Sequence, residues 1–321
     1  MLSMISDNKF VLLLGLVCAF AFTLLLMRTL ADKLPHDQGR AFAVDGSLSK
    51  GKVRGVGIVF VFVYAVCNLM FNTISLEMII YTVIIVLCML TGYFDDAAET
   101  PWNEYLKGAL DLVLAIAVAV TYLYFNGNSI KIGFLGGATF NIPYIIYGIL
   151  IVALVWCAIN VTNCTDGVDG LSATLTIITL GSFYFLFRDF DNLAGHNYSV
   201  ILFMTVLVAY LWYNATPSTM LMGDAGSRAM GMMIAITALM SGSPLLYIPF
   251  SIVMILDGGL GLFKVAVIRF LKIKIFTNLR CPLHDQARKV NEWSNTQVVF
   301  RFAIFQLAVS ILFVWGYAFL N

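Results

Sequence analysis

Three short blocks of carboxylates, amides and glycines hold the side chains of this sequence that could do chemistry. They are the pair Asp95-Asp96, residues 160–170 and residues 222–227. Each block lies where a long apolar stretch begins or ends, and acids next to hydrocarbon are costly and usually functional. We therefore expect the three blocks to form one site for a cation and a phosphorylated ligand.

The block at 160–170 is the most specific of the three. If the preceding apolar helix continues, Asn160, Asn163 and Asp166 are three residues apart and fall on one face. Gly167 lets a ligand approach the backbone closely, and Asp169 supplies a further acceptor. Packing alone explains this density of polar groups and glycines poorly, so we interpret the block as ligand-binding.

The other two blocks also have simpler, structural explanations. One of Asp95 and Asp96 can act as a base and the other as a ligand, because their mutual repulsion separates their pKa values. The alternative is that the pair forms a solvated helix cap. Asp224 precedes an apolar run and can hold Mg²⁺ near a helix N-terminus that attracts anions, or it can cap that helix. Asn214, at the end of the previous apolar run, has an amide suited to a nucleobase edge.

If the blocks converge, their acids need a cation. Oxygen ligands with few histidines or cysteines nearby favour Mg²⁺ or Mn²⁺ over zinc. His284 falls on the same side of the predicted membrane and is expected to line the site. Basic residues on that side either bind phosphate or anchor helix ends, and two of them, Lys50 and Lys52, compete for one phosphate role. These basic residues are Lys50, Lys52, Arg54, Lys107 and Lys264.

The elements that must position these residues are apolar helices. The chain has 321 residues, of which 60% are hydrophobic and only 12% charged, and its mean hydropathy is +0.90. A soluble protein of ordinary composition carries about 25% charged residues, so that class is excluded. Apolar runs of about 20 residues, the length that crosses a bilayer, recur at 9–30, 55–73, 75–93, 105–125, 143–161, 170–188, 198–215, 227–242, 245–270 and 299–319.

This pattern predicts an all-α polytopic membrane protein with ten transmembrane helices in a single integral domain, residues 1–321. The ninth span contains Pro249 and Gly258-Gly259, which predict a broken helix. Residues 126–142 alternate apolar and polar side chains around Gly136-Gly137, which predicts a small external β-hairpin. If the chain crosses the membrane ten times, sixteen of its nineteen Lys and Arg residues lie on the same side as the acidic blocks. The positive-inside rule then places that side in the cytoplasm and both termini outside.

Taken together, these residues resemble the polyprenyl-phosphate N-acetylhexosamine-1-phosphate transferase superfamily. Within it, the chain is most similar to the bacterial phospho-N-acetylmuramoyl-pentapeptide transferases. The similarity covers essentially the whole chain. The matching motifs are Phe94-Asp95-Asp96, residues 160–171, residues 214–231, Pro282-Leu283-His284, Trp293 and residues 296–302.

The resemblance implies a bacterial inner-membrane enzyme with a cytoplasmic active site. Such an enzyme transfers phospho-MurNAc-pentapeptide from UDP-MurNAc-pentapeptide to undecaprenyl phosphate and produces lipid I and UMP in peptidoglycan synthesis. It also implies Mg²⁺ as cofactor, a lipid environment and a homodimer, and no nucleic-acid partner is expected. A direct attack of the lipid phosphate and a route through a covalent aspartyl intermediate both stay open.

The resemblance also assigns roles to residues. Asp224 corresponds to the principal Mg²⁺ ligand, and Asp95 to a residue that deprotonates or positions the lipid phosphate, with Asp96 beside it. Asn163 and Asp166 match a polar pair near the diphosphate. Further positions implied or proposed for substrate binding are Gly167, Val168, Asp169 and Asn214 around uridine, Lys107 near the nucleotide, and Lys50, Asn160 and Lys264, with His284 as a catalytic candidate.

The sequence departs from the family pattern at three informative positions. Glu99 stands where a lysine is usual, only His284 remains of three consecutive histidines, and Lys264 replaces a glutamine. These changes keep open a GlcNAc-1-phosphate transferase of the same superfamily. A third alternative from another class is an ion-coupled secondary transporter, although only Asp111 and Asp257 lie well inside predicted spans.

Overall fold

A computed structural model describes residues 9–37, 39, 49–100, 102–132, 138–189 and 191–320. The chain is mostly helical, with one two-stranded sheet. The elements are α1 (Lys9–Leu30), α2 (Gly57–Phe71), α3 (Leu76–Ala97), α4 (Glu104–Asn126), β1 (Ser129–Ile132), β2 (Ala138–Asn141), α5 (Tyr144–Thr165), α6 (Leu171–Phe187), α7 (Ala194–Asn214), α8 (Gly223–Met240), α9 (Pro244–Phe250), α10 (Ile252–Leu271), α11 (Leu283–Lys289) and α12 (Asn295–Leu320).

Six of the helices in the described ranges are long and apolar enough to cross a membrane, or seven if α9 and α10 together count as one span. Helices α2 and α6 are apolar but shorter, with 15 and 17 residues. Helix α8 carries Asp224 and Arg228 in its first two turns and is buried along nearly its whole length. A helix enclosed by protein does not need a lipid-compatible surface, so hydropathy identifies it poorly. The multi-pass helical architecture is confirmed, whereas the number of ten spans stays a prediction.

Helix α8 lies at the centre of the bundle because small residues let its neighbours approach closely. A Cβ atom at Gly92 of α3 would overlap the backbone of Asp224 and Ala225. On the other side of α8, a Cβ atom at Gly231 would lie 2.5 Å from the carbonyl oxygen of Ala158 in α5. Close backbone contact through small residues is the usual means of packing helices in membranes. It fixes the start of α8 against the end of α3.

Two helix starts are capped by side chains that satisfy otherwise unpaired amides. The Ser75 hydroxyl accepts a hydrogen bond from the Met78 amide at 3.1 Å and begins α3. The Asn103 side chain accepts from the Leu106 amide at 2.8 Å and begins α4. Such caps stabilise a helix by about 1 kcal/mol each. The cap at Asn103 sets where the first turn of α4, which carries Lys107, begins.

The predicted broken helix is present, and its break lies at Ser251, two residues after Pro249. Helices α9 and α10 meet there at an angle of 70°. Gln306 of α12 inserts into the gap: its side-chain amide donates to the Pro249 carbonyl at 3.0 Å and accepts from the Val253 amide at 3.0 Å. The side chain thus replaces the missing backbone bond, which must be satisfied internally in a membrane. Gly258 packs against α5 in a π-helical turn of α10.

The predicted β-hairpin is also confirmed as a two-stranded antiparallel sheet. Ile130 of β1 pairs with Phe140 of β2. The Lys131 amide donates to the Gly242 carbonyl at 2.8 Å, which anchors the hairpin just beyond the end of α8. The predicted turn at Gly136-Gly137 lies outside the described residues. The hairpin is therefore at the opposite end of α8 from Asp224.

The close contact between α3 and α8 can be tested at Gly92. Gly92→Ala should destabilise the folded protein by about 1–3 kcal/mol, because the backbone of α8 has to move. Gly316→Ala in α12 is the matched control, since no heavy atom lies within 4 Å of a Cβ atom there. Thermal unfolding in detergent measures both variants. Equal midpoints for the two would contradict the proposed packing constraint.

Candidate active site

Three of the predicted acids converge at one end of the bundle. Asp95 and Asp96 lie in the last turn of α3, and Asp224 lies in the first turn of α8. One carboxylate oxygen from each lies within 4.8 Å of the other two, with Asp95 buried and the other two half-buried. The convergence expected from the sequence is therefore observed for these two blocks.

Two cations bridge the three carboxylates. The Arg54 Nε lies 2.9 Å from Asp96 Oδ1, and its Nη2 lies 3.7 Å from Asp224 Oδ1. The Lys107 ammonium lies 2.5 Å from Asp95 Oδ2 and 3.4 Å from Asp224 Oδ2. Both cations are thus closer to the acids of α3 than to Asp224. Three carboxylates and two cations leave one negative charge in this cluster.

The donor set fits a hard divalent cation. Within the described residues, the cluster supplies carboxylate oxygens only, which are the ligands that Mg²⁺ prefers. Backbone amides orient two of the acids: Trp102 donates to Asp95 at 2.8 Å and Ala225 donates to Asp96 at 3.1 Å. Gly223 has a φ of +67°, and a Cβ atom there would overlap the Asp96 carboxylate. This glycine therefore permits the tight entry into α8.

An extended segment before α2 brings Arg54 to the acids. The Arg54 amide donates to the Pro35 carbonyl at 2.8 Å, and Val53 bridges His36 on one side and Met220 on the other. The Leu221 amide donates to the Val53 carbonyl at 2.8 Å. The segment is thus clamped between the end of α1 and the start of α8.

Burial lowers the pKa of the Arg54 guanidinium, but the charges of Asp96 and Asp224 outweigh this effect and raise it above its ordinary value. The guanidinium therefore stays protonated at any pH at which the protein is folded. It is a permanent positive charge beside the acidic cluster.

A polar cavity opens beside the acidic cluster. Its volume of about 470 Å³ lies within the usual range for small-molecule sites. It reaches from Asp224 past the end of α5 to the loop between α7 and α8. Seven predicted site residues line it: Asn163, Asp166, Gly167, Val168, Asp169, Asn214 and Asp224.

The block at 160–170 forms one wall of this cavity. Asn163 donates to the Ser227 hydroxyl at 3.0 Å, which ties α5 to the first turn of α8. Asp166 ends α5. Asp169 accepts from the Ser218 amide at 3.1 Å and lies 3.7 Å from the Lys52 ammonium. The Asp169 carboxylate therefore connects the end of α5 to the loop before α8.

Asn214 is more deeply involved in the fold than its sequence position indicated. It is buried, and its side-chain oxygen accepts from the Gly170 amide at 2.8 Å. Its side-chain nitrogen donates to the Met220 carbonyl at 2.8 Å. Both ends of the amide thus hold the two loops of the cavity wall together. Contact with a nucleobase stays a prediction.

His284 lies behind the cavity wall and is held by a buried acid. Asp257 of α10 accepts from the His284 amide at 2.7 Å, and its other oxygen lies 2.9 Å from His284 Nδ1. The Nε2 side of the ring faces Gly167, where a Cβ atom would overlap it. The absence of a side chain at Gly167 therefore lets the imidazole reach the edge of the site.

Besides His284 and the acidic-cluster residues Asp95, Asp96 and Lys107, three predicted site residues lie outside the lining of the cavity. Lys50 is exposed, whereas Lys52 lines the cavity, so the geometry favours Lys52 for the phosphate role that the sequence left open. Asn160 donates to Asp111 at 3.4 Å, deeper in the bundle. Lys264 donates to the carbonyls of Phe276 and Leu279 at 2.9 and 2.8 Å and so caps a loop.

Sequence analysis did not identify Arg288 as a site residue. It lines the cavity, donates to the Gly167 carbonyl at 3.1 Å and pairs with Asp285 at 2.7 Å. Its spacing from His284, one turn along the short helix α11, is the signal that could have identified it. Asn295, at the start of α12, lines the same part of the cavity.

The chain is similar to known proteins along nearly its whole length. Residues 78–242 match the family described as Glycosyl transferase family 4. The phospho-N-acetylmuramoyl-pentapeptide-transferase of Treponema pallidum (strain Nichols) is 38% identical over 93% of this chain and 87% of its own length. Proteins of the same name from Dictyoglomus turgidum and Borreliella afzelii are 25% and 26% identical, over 95% and 94% of this chain and 98% and 92% of their own lengths.

The family match includes all three acidic blocks in full, and the similarity to the Treponema protein extends over nearly the whole chain. The chain therefore belongs to glycosyl transferase family 4 and, within it, to the phospho-N-acetylmuramoyl-pentapeptide-transferases.

Proposed function

We propose that this chain transfers phospho-MurNAc-pentapeptide from UDP-MurNAc-pentapeptide to undecaprenyl phosphate, which gives lipid I and UMP. One observation carries the proposal: Asp224, which clusters with Asp95 and Asp96, also lines a polar cavity large enough for a nucleotide. The names of the related proteins supply the donor sugar and peptide, and the membrane setting suits a polyprenyl acceptor.

In this proposal the cavity binds the nucleotide end of the donor. Asp169 and the backbone around Gly167 and Val168 contact uridine, while Asn214 keeps the two loops in register. Lys52 and Arg288, both on the cavity wall, neutralise the diphosphate. Phosphoryl transfer depends mainly on positioning and charge neutralisation, and these residues provide both.

The acidic cluster would hold Mg²⁺, with Asp224 as the principal ligand because both cations lie closer to Asp95 and Asp96. When bound, the ion would neutralise charge on the diphosphate and stabilise the UMP leaving group. Lys107 and Arg54 offset the charge of the acids so that a second phosphate can approach. Asp95 positions the acceptor phosphate together with Lys107.

We also propose ten membrane crossings, made by α1 to α8, the bent pair α9–α10, and α12. The ends of α3, α5 and α7 and the start of α8 contribute to one site, as an alternating arrangement requires. The excess of Lys and Arg on that side supports a cytoplasmic site in a protein of the bacterial inner membrane, with α1 beginning and α12 ending outside. Labelling of single cysteines at positions 50 and 189 from each face of oriented vesicles tests this orientation.

We further propose a homodimer, which light scattering in detergent tests.

The activity is tested with the purified full chain, undecaprenyl phosphate, Mg²⁺ and UDP-MurNAc-pentapeptide. Release of UMP together with lipid I is the expected result. If UMP is released with UDP-GlcNAc as donor and not with UDP-MurNAc-pentapeptide, the chain is instead a GlcNAc-1-phosphate transferase. Ion-coupled uptake into vesicles without UMP release would replace the enzyme with a transporter.

Removal of the proposed metal ligand should abolish most of the activity. Asp224→Asn should lower kcat/KM by at least about 100-fold, because an ion in such a site contributes several kcal/mol to transition-state stabilisation. Asp189→Asn is the control, since Asp189 is exposed and pairs with Arg188 away from the site. UMP release is measured across a Mg²⁺ titration. Full activity of Asp224→Asn would remove the metal assignment.

The choice between Lys50 and Lys52 can be made with two matched variants. Lys52→Gln should raise KM for the nucleotide sugar roughly 10- to 100-fold, because one charge-assisted hydrogen bond is worth about 1.5–3 kcal/mol. Lys50→Gln should leave KM unchanged, since Lys50 is exposed and does not line the cavity. Steady-state kinetics with varied donor decide the matter. The opposite pattern would reverse the assignment.

A further inference from the structure

A second ion pair lies directly behind the acidic cluster, away from the cavity. Arg228 of α8 and Asp111 of α4 are each only 2% exposed, and the Arg228 Nη2 contacts Asp111 Oδ1. The second Asp111 oxygen accepts from the Asn160 side chain at 3.4 Å. Neither Asp111 nor Arg228 lines the cavity beside Asp224. The pair is therefore absent from the substrate contacts described above.

The two ion pairs between α4 and α8 form successive layers. Lys107 and Asp111 are one turn apart on α4, and Asp224 and Arg228 are one turn apart on α8. The outer layer joins Lys107 to Asp224, and the inner layer joins Asp111 to Arg228. The sign of the charge alternates both along each helix and between the helices.

Arg228 is placed where it could neutralise Asp224. Side chains on a helix point towards its N-terminus, so residue 228 leans towards residue 224. Asp224 has Arg54 and Lys107 nearby, and a third cation on this carboxylate would compete directly with a divalent ion. The Asp111 carboxylate prevents this by holding the guanidinium one layer deeper.

Stability alone is a weak reason for such a pair. Replacing a buried ion pair with apolar side chains of similar volume is often neutral or stabilising, because desolvation of both charges is costly. Arg228 lies one helical turn from the proposed metal ligand, where an unpaired charge would change the electrostatic potential at Asp224. Its position therefore points to a role in the site.

We propose that Asp111 is a positioning residue that sequesters Arg228, so that Asp224 keeps its affinity for a divalent cation. Asn160 supports this role by binding the second oxygen of Asp111, and this contact gives Asn160 a function outside the cavity. The inference rests on the proposed function, because it assumes that Asp224 binds the metal.

The test measures Mn²⁺ binding directly, by the loss of the free Mn²⁺ signal in electron paramagnetic resonance, on the full chain in detergent. Asp111→Asn should weaken Mn²⁺ binding roughly 10- to 100-fold, as is typical for groups that orient a metal ligand. Its UMP release should recover at high Mg²⁺. Combining Asp111→Asn with Arg228→Gln removes the competing charge and should restore Mn²⁺ affinity to that of the unsubstituted protein.

Arg228→Gln alone should bind Mn²⁺ at least as tightly as the unsubstituted protein, and this variant decides the matter if Asp111→Asn does not fold. Glu104→Gln is the matched control, because Glu104 lies on α4 like Asp111 but forms an exposed ion pair with Arg269 of α10. This substitution should not change Mn²⁺ affinity. Three outcomes would each overturn this inference and leave the metal assignment standing. They are unchanged Mn²⁺ affinity in Asp111→Asn, no recovery of affinity in the double variant, and weaker Mn²⁺ binding in Arg228→Gln. Absence of Mn²⁺ binding by the unsubstituted protein would overturn the metal assignment as well.

Discussion

Charge compensation around three carboxylates is the constraint on which the rest of this structure depends. Two unit charges 4–5 Å apart repel by about 3–4 kcal/mol at an effective dielectric constant near 20. Asp95, Asp96 and Asp224 lie within this range of one another, so the cluster requires nearby cations. Arg54 and Lys107 meet this requirement from two different segments, the strand-like stretch before α2 and the first turn of α4. The electrostatics of the site therefore specify how these segments pack.

The central helix α8 connects this constraint to the packing of the bundle. Its first turn carries Asp224, and its backbone contacts α3 at Gly92 and α5 at Gly231 without intervening side chains. Small shifts of α8 would change the distances within the acidic cluster. The rigidity that a phosphoryl-transfer site requires is thus supplied by close helix packing in the membrane, where hydrophobic burial contributes little to helix association.

The cavity is made of helix ends and irregular backbone at the edge of an apolar bundle. Polar side chains satisfy backbone groups at several such places in the bundle: Asn214 holds two loops of the cavity wall, Asp257 orients His284, and Gln306 fills the break between α9 and α10. Polar groups without partners are expensive in this setting. Several polar residues that contact no substrate in our proposal are thus necessary for the shape of the site.

The sequence by itself determined the helical membrane architecture, the hairpin, the broken helix and the acidic blocks. Each of these depends on local patterns: hydropathy over about 20 residues, alternation around glycines, and Pro or Gly within a helix. The number of ten spans stays a prediction, because α2 and α6 are short and α8 is enclosed by protein.

Only the tertiary structure decided which distant residues meet. In the structure Lys52, not Lys50, lines the cavity, and Arg288 lines it as well. Both ends of the Asn214 amide bind backbone groups, and Asp111 pairs with Arg228. Most partners in these contacts are far apart along the chain; Asp111 and Arg228, for example, are 117 positions apart. Local patterns specify the direction and type of an element, but the choice of partner depends on how the helices pack.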